Sequence, residues 1–574
     1  MEPLNDQEWD DVRLSAKLFG HISYGMYRTP AGAIKELISN AFDADAASVK
    51  IHTGFPRFEF FSCEDNGAGI PLKEFRRLMD QGFGTSFKRT GQSQLTPNGR
   101  PIIGRLGIGL LSLAQICTEF DLVSHHAAGD AFTVTIRFQP YTREEIDKLK
   151  HLPEEKIIRM GKYRVQEIDY DSTQKGVRVF TKYLRQTFRK TMADLTRYAN
   201  SLKSRSKAPY SSFEEFISAI YEGKNAPQSL SLASDYDQLL FGLAIVPPIP
   251  YFNDDSNVML KLDFFREYQN KLKVNEFQVT VDNLDLRRPL RLPSDKRGAL
   301  VERCKLVREE TKPFGLVDGP HKESAIVKKH EFAVEESDVV LSGYQIDYSH
   351  SNVAGRPLKF SGYLFQQTGR LYPGDIMGLL VRVRDVAIGR YDITLMNYPY
   401  GEGPRYHMVS CELFVEEGFE DALNIDRDSF NALDPHYIRM KSYLHAFLHT
   451  VVFPETWGEE KRRNKARKEK AKAHRDIAFQ QVLDSHSKGR FLQITRLDDE
   501  SDTGASPVRF SPKDKTILVN SKHPLMKRAL RRKKYQELVE QIAIAFEESF
   551  VHDSAKAKRE AFYRLLAKIF DNQL

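Results

Sequence analysis

The chain has 574 residues, of which 41% are hydrophobic and 28% charged, with a formal net charge of +7. That length exceeds what one hydrophobic core serves, so three or four domains are expected, and no apolar run approaches the ~18–20 residues of a membrane span. The charge permits contact with nucleic acid without demanding it, and the four cysteines (Cys63, Cys117, Cys304, Cys411) show neither metal-ligand spacing nor a disulfide framework. With an acidic, polar start that reads as neither signal nor transit peptide, a cytoplasmic protein with reduced thiols is expected.

The first expected helix covers residues 31–47. Ile34, Leu37, Ile38 and Ala41 recur at i, i+3, i+4, i+7 and should pack on a sheet. Glu36, Asn40 and Asp43 form a second, polar stripe. It is either a solvated face or a functional one, and Asn in mid-helix, a poor helix former, favours the second. Strand-like runs V-K-I-H (49–52) and R-F-E-F-F-S-C (57–63) then deliver Asp65 to a strand end, where Asn66, Gly67 and Gly69 make a tight turn. Pro71 starts a helix with Leu72, Phe75, Leu78 and Met79 as its core face. Residues 80–103 are rich in Gly, Ser, Thr and basic side chains, a loop length that is usually functional or disordered. G-R-L-G-I-G (104–109) opens an apolar helix, L-L-S-L-A-Q-I-C. Strands follow at 131–138 and at 176–180, the latter expected to close the sheet.

Further on, a helix is expected at 211–221, a buried run that breaks at 236–251, and a strand at 275–283. Residues 456–489 are highly charged, and a solvated bridging helix is the favoured reading over a phosphate-binding arm. A strand at 515–520 precedes a basic run at 527–534 and two amphipathic helices, suited to dimerisation, around 538–546 and 560–570.

Three motifs in fixed order carry the chemistry: E-L-I-S-N-A-F-D (36–43), E-D-N-G-A-G (64–69) and G-R-L-G-I-G (104–109). Glu36 and Asn40 lie one turn apart and reach one site. The Asn40 amide oxygen suits Mg²⁺, and Glu36 can orient and deprotonate water beside a terminal phosphate. Asp65 on its glycine turn can accept a hydrogen bond from the exocyclic amine of adenine; the alternative is a plain β-turn. The glycines of the third motif open a helix whose N-terminus can hold phosphate. Their spacing is neither the dinucleotide fingerprint nor a P-loop. Together these residues describe an ATP pocket. Residues 80–103 would be its lid, with Thr85, Ser86 and Lys88 toward phosphates, or else a disordered surface loop.

The ordered triplet resembles the GHKL superfamily of gyrase B, the ninety-kilodalton heat-shock chaperone, MutL, Morc and histidine kinases, over about residues 15–185. The resemblance implies an α/β (α+β), multidomain chain: an N-terminal Bergerat α/β sandwich, an α/β middle domain and a mostly helical C-terminal region. It implies Glu36 as general base, Asn40 as Mg²⁺ ligand, Asp65 as adenine acceptor and Asp43 beside them. Gly67, Gly69, Gly104, Arg105, Leu106, Gly107, Ile108 and Gly109 would line the nucleotide. One departure stands out. Where the family places Gly-Thr on the closing strand, with the hydroxyl supporting the adenine-binding Asp, this chain has Gly176-Val177.

Runs at 358–365, 378–388 and 411–430 are similar in order to the chaperone's middle domain, ending in L-N-I-D-R-D-S-F (423–430). That resemblance implies Arg427 as an arginine finger for the terminal phosphate; the alternative is a surface pair with Asp426 or Asp428. The expected organisation is 1–190 ATP-binding domain, 191–330 connection or insertion, 331–455 middle domain and 456–574 charged linker with an α/β or helical C-terminal module suited to dimerisation. The expected function is a homodimeric ATP-hydrolysing clamp acting on a protein partner, not on a membrane. The alternatives are a DNA-associated ATPase of the MutL or Morc kind, with genome defence as one such role, and a nucleotide-sensing scaffold with little turnover.

Overall fold

The computed structural model describes residues 9–15, 30–81, 95–102, 109–139, 157–193, 210–221, 230–252, 277–289, 301–315, 322–334, 341–424, 429–458, 493–497, 508–511 and 516–520, with isolated positions outside these ranges and small gaps within them. The chain divides into two compact units, Met1–Thr456 and Trp457–Leu574. It is a mixed α/β, multidomain protein.

The first unit is built on two sheets. Nine strands form the first: β1 (Asp10–Ser15), β2 (Ser48–His52), β3 (Phe61–Asp65), β4 (Cys117–His125), β5 (Ala131–Phe138), β6 (Ile157–Glu167), β7 (Gly176–Leu184), β8 (Gln278–Val281) and β9 (Leu284–Asp285). Their order is β1-β6-β5-β4-β7-β3-β2-β8-β9. All neighbours are antiparallel except β2 and β8. On one face lies α1 (Pro30–Asp43), whose Ile34, Leu37, Ile38 and Ala41 join Val49, Ile51, Leu122 and Val134 in one core. Each large apolar side chain buried this way contributes roughly 1.5–3 kcal/mol. The polar stripe of α1 is not a solvated face: Glu36 and Asp43 are buried and Asn40 is half-buried. α2 (Leu72–Gln81) buries Phe75 and Met79 in the same core.

Three sequence expectations change here. The apolar run after the third motif is a 3₁₀ helix, Gly109–Gln115, and ends where β4 begins. In β4 the inward residues Phe120, Leu122 and Ser124 alternate with more exposed ones, a period of two that the preceding Leu-rich run obscures. β7 does not close the sheet; it lies in the middle, between β4 and β3. The stretch read as a connection also completes the first layer. After α3 (Gln186–Ala193), helices α4 (Phe213–Tyr221) and α5 (Asp235–Ile245) bury Phe216, Leu240 and Leu243 in the first core, and β8 and β9 extend its sheet. Asp282 pins this edge, accepting from Thr53 N at 2.8 Å, Thr53 Oγ1 at 2.6 Å and Tyr236 Oη at 2.8 Å.

The second sheet holds β10 (Val301–Gly315), β11 (Lys322–Val334), β12 (Leu341–Val353), β13 (Arg356–Gln367), β14 (Gly378–Val383), β15 (Val386–Asp392) and β16 (Val409–Glu417). Their order is β10-β11-β12-β13-β16-β14-β15, with only β14 and β16 parallel. α6 (Pro435–Phe447) is capped by Asp434, whose carboxylate accepts from His436 N and Tyr437 N. It buries Met440, Tyr443, Leu444 and Phe447 against Tyr344, Ile346 and Leu413. Every residue of β14 is buried, so the sheet is covered on both faces at this strand. The second cover includes Val246–Tyr251 and Arg288 of the first layer.

In the second unit the described strands β17 (Gln493–Leu497), β18 (Val508–Ser511) and β19 (Thr516–Asn520) form a sheet ordered β17-β19-β18. Among its described residues the C-terminal region, expected as an α/β or helical module, carries a sheet with the expected strand at its centre. The basic run 527–534 and both terminal helices lie outside the described residues, as does most of 456–489.

Candidate nucleotide site

Glu36 and Asn40 meet the third motif at Gly109. A Cβ at Gly109 would lie 2.7 Å from Asn40 Nδ2, 3.4 Å from Glu36 Cβ and 3.5 Å from Glu36 Oε2, so a side chain here would displace the Asn40 amide. Ser112 locks the 3₁₀ helix onto α1, its hydroxyl donating to Ala33 O at 3.1 Å and placed 2.5 Å from Gly109 O. Glu36 is 8% exposed, Asn40 half-buried, and Asp43 buried one turn further along.

The second motif packs on the end of the same helix. Ala68 N donates to Ala44 O at 2.8 Å, and Asn66 Oδ1 accepts from Ala47 N and Ser48 N, both at 2.8 Å. Gly67 N donates to Asp65 Oδ1 at 2.9 Å. Gly69, at φ +75°, lies against the backbone of His125 and His126. The motif is therefore a built turn that seats Asp65, not a free surface turn.

β7 supplies the opposite wall. At Gly176, φ is +104° and a Cβ would fall 2.1 Å from Asp65 O, a position closed to any side chain. The next residue, Val177, donates its backbone N–H to Asp65 Oδ1 at 3.4 Å. The Oδ2 atom accepts no hydrogen bond from any described residue. Burial pushes the Asp65 carboxyl up to about 6; the Gly67 and Val177 amides pull it down, and the charge of Glu64 adds to the rise.

The tail of the expected lid is fixed. Leu95 and Pro101 form an isolated bridge around the turn Thr96–Arg100. Asp45, at φ +56° just past α1, accepts from Thr96 Oγ1 at 2.5 Å and Asn98 N at 3.2 Å. Arg100 donates to Ala46 O at 2.6 Å and lies 4.9 Å over the Phe42 ring. Sequence reasoning passed over Asp45, Thr96 and Arg100, although T-P-N-G-R has the composition of a tight turn. Thr85, Ser86, Lys88, Gly104, Arg105, Leu106, Gly107, Ile108 and Arg427 lie outside the described residues. The flanks of the Arg427 motif, Leu423 and Phe430, pair with each other, and Asn424 Nδ2 donates to Ser429 Oγ at 2.9 Å.

Among the described residues no three His, Cys, Asp or Glu side chains converge on a metal position. No described helix is long and apolar enough to cross a membrane.

Residues 27–173 match the family model of histidine kinase-, DNA gyrase B-, and HSP90-like ATPases. The chain is also similar to the curated protein "Putative type II restriction enzyme HgiDII" of Herpetosiphon aurantiacus, 29% identical over 119 residues. That match covers 20% of this chain and 18% of the relative's length. Among solved structures, the N-terminal domain of a DNA repair protein aligns with 77% of this chain and 98% of its own, at 11% identity and a TM-score of 0.31. A likeness at that level carries no argument about fold or function.

Proposed function

We propose that the chain binds ATP between α1, the turn after β3 and the start of β7, and hydrolyses it to ADP and phosphate. The supporting observation is the convergence of all three motifs on α1: Gly109 against Glu36 and Asn40, and the Asp65 turn against Ala44. Asp65 Oδ2 would accept the adenine amine while Gly67 and Val177 hold Oδ1. Glu36 would orient water and take its proton, its burial keeping bulk solvent from the reacting phosphate. Mg²⁺, when bound with ATP through Asn40, would neutralise phosphate charge. Arg427 is proposed as the cationic group for the terminal phosphate, on the sequence resemblance alone.

The test uses Glu36→Ala. General-base removal typically costs ~10²–10⁴ in rate, so the variant should bind a non-hydrolysable ATP analogue like the parent while phosphate release falls by that factor. Turnover at the parent rate would remove Glu36 from this role.

Two readings of the work done by ATP remain distinct. The ordered strings between 358 and 430 support a homodimeric clamp on a protein partner. The similarity to a protein named as a restriction enzyme supports a DNA-associated ATPase. DNA retention that falls steeply with salt selects the second; nucleotide-dependent capture of a protein without DNA selects the first.

A further inference from the structure

Between the two sheets of the first unit lies a buried polar junction. Arg382 on β14 pairs with Glu412 on β16 at 2.6 Å, their side chains 1% and 4% exposed. Glu412 also accepts from Tyr251 Oη at 3.1 Å and Tyr391 Oη at 2.7 Å. Arg288, fully buried, donates to Pro247 O and, at 2.7 Å, to Asp385 O. Ala387 N donates to Val246 O at 3.0 Å. These bonds hold the β14–β15 hairpin against the first layer from two sides.

Arg384 and Asp385 form the two-residue turn of that hairpin, both at positive φ (55° and 65°). This is the backbone of a tight hairpin turn, which non-glycine residues adopt only at a cost. The turn aims Arg384 at the nucleotide layer: its Nη1 donates to the carbonyl of Ile102. Ile102 follows the Thr96–Arg100 turn, itself tied to Asp45 at the end of α1, and in sequence it leads into the motif that ends at Gly109. The chain entering the glycine motif is thus held by α1 on one side and by the second sheet on the other.

We propose that Arg384 is a positioning residue for ATP hydrolysis, tying the segment before the glycine motif to the hairpin of the second sheet. The proposal rests on the ATP reading above and adds the route by which the second sheet acts on that site. A shift of the hairpin would move Ile102 and with it the Thr96–Arg100 turn tied to Asp45 at the end of α1. On this proposal Arg384 acts through the Ile102 carbonyl rather than on the reacting atoms.

The experiment compares the full chain with Arg384→Ala, Arg384→Gln and Arg384→Lys, each first checked for parental thermal unfolding. Without nucleotide, hydrogen exchange over residues 95–102 should speed by about tenfold to a hundredfold in the Ala and Gln variants, the range for loss of a charged hydrogen bond. With ATP, kcat should fall while KM changes little, and Lys, which keeps a cationic donor, should recover most of both effects. Parental exchange in folded Ala and Gln variants overturns the proposal, and so does parental kcat. A parent without ATP turnover sinks the ATPase reading and this one with it; an active parent matched by Arg384→Ala sinks only this one.

Discussion

Asp65 should make nucleotide binding depend on pH in a range where few carboxylates titrate. Its carboxyl is raised from 3.8 to about 6, and the largest cause is burial. A raised folded-state value favours the protonated form in the folded protein. Asp65 therefore adds no penalty below the unfolded value, and its cost to folding grows as pH climbs from about 4 to 6. The gap converts to about 3 kcal/mol at 1.36 kcal/mol per unit, which the residue's partial solvent contact cuts to about 1–2 kcal/mol. Asp65→Asn should therefore stabilise the nucleotide-free protein at pH 7.5 by that amount, read as a raised denaturation midpoint, and have little effect at pH 4. The same substitution should abolish adenine recognition, because a neutral amide replaces the ionised acceptor. In the parent, affinity for ADP measured by calorimetry should be flat from pH 7 to 8 and about tenfold weaker at pH 5, where about a tenth of Asp65 is ionised. Parental affinity that ignores pH between 5 and 7, or an Asp65→Asn protein less stable than the parent at pH 7.5, would refute this account of the pocket.

Gly109→Ala places a methyl group 2.7 Å from Asn40 Nδ2 and should lower kcat by tenfold or more with a modest change in Tm, as read by phosphate release and thermal melts. Glu412→Ala leaves Arg382 and Arg288 buried without their carboxylate and should cost about 3–5 kcal/mol in denaturant unfolding. Replacing Glu412 and Arg382 together by Met should cost less than Glu412→Ala, with Arg288 still lacking its carboxylate, and equal losses in the single and double variants would deny the ion pair its role.

What the sequence disclosed about the site follows from how local its determinants are. Glu36 and Asn40 are related by helical spacing, and the Asp65 turn by its glycines, so both are readable from a few neighbouring residues. The burial of the Glu36 stripe is not readable this way, because its cover comes from Gly109, far along the chain. The same holds for β7: its alternation announces a strand, but its central place depends on which strands pair beside it. The second sheet shows the limit most clearly. Residues 378–388 read as strand, yet Arg382 gives no sign of full burial, since its partners and covering residues arrive from Val246 and Glu412. Asp45 reads as an ordinary loop acid; only the fold brings Thr96 to it.

The departure at Val177 takes on a definite meaning in the structure. The resemblance implies a threonine hydroxyl beside the adenine-binding carboxylate, and valine offers none. The backbone still donates, but at 3.4 Å, beyond the usual 2.7–3.2 Å of a good N–H···O bond. The stronger support comes from Gly67 N at 2.9 Å. Two short bonds to the charged form would oppose burial effectively; one short and one long bond oppose it less, and burial prevails, leaving the carboxyl near 6. Gly176 remains obligatory, because Asp65 O occupies the space its side chain would need. The wall of the pocket is thus kept by backbone geometry while the electrostatic support is weakened. Val177 keeps the backbone donation to Asp65, and burial holds the carboxyl above its ordinary range.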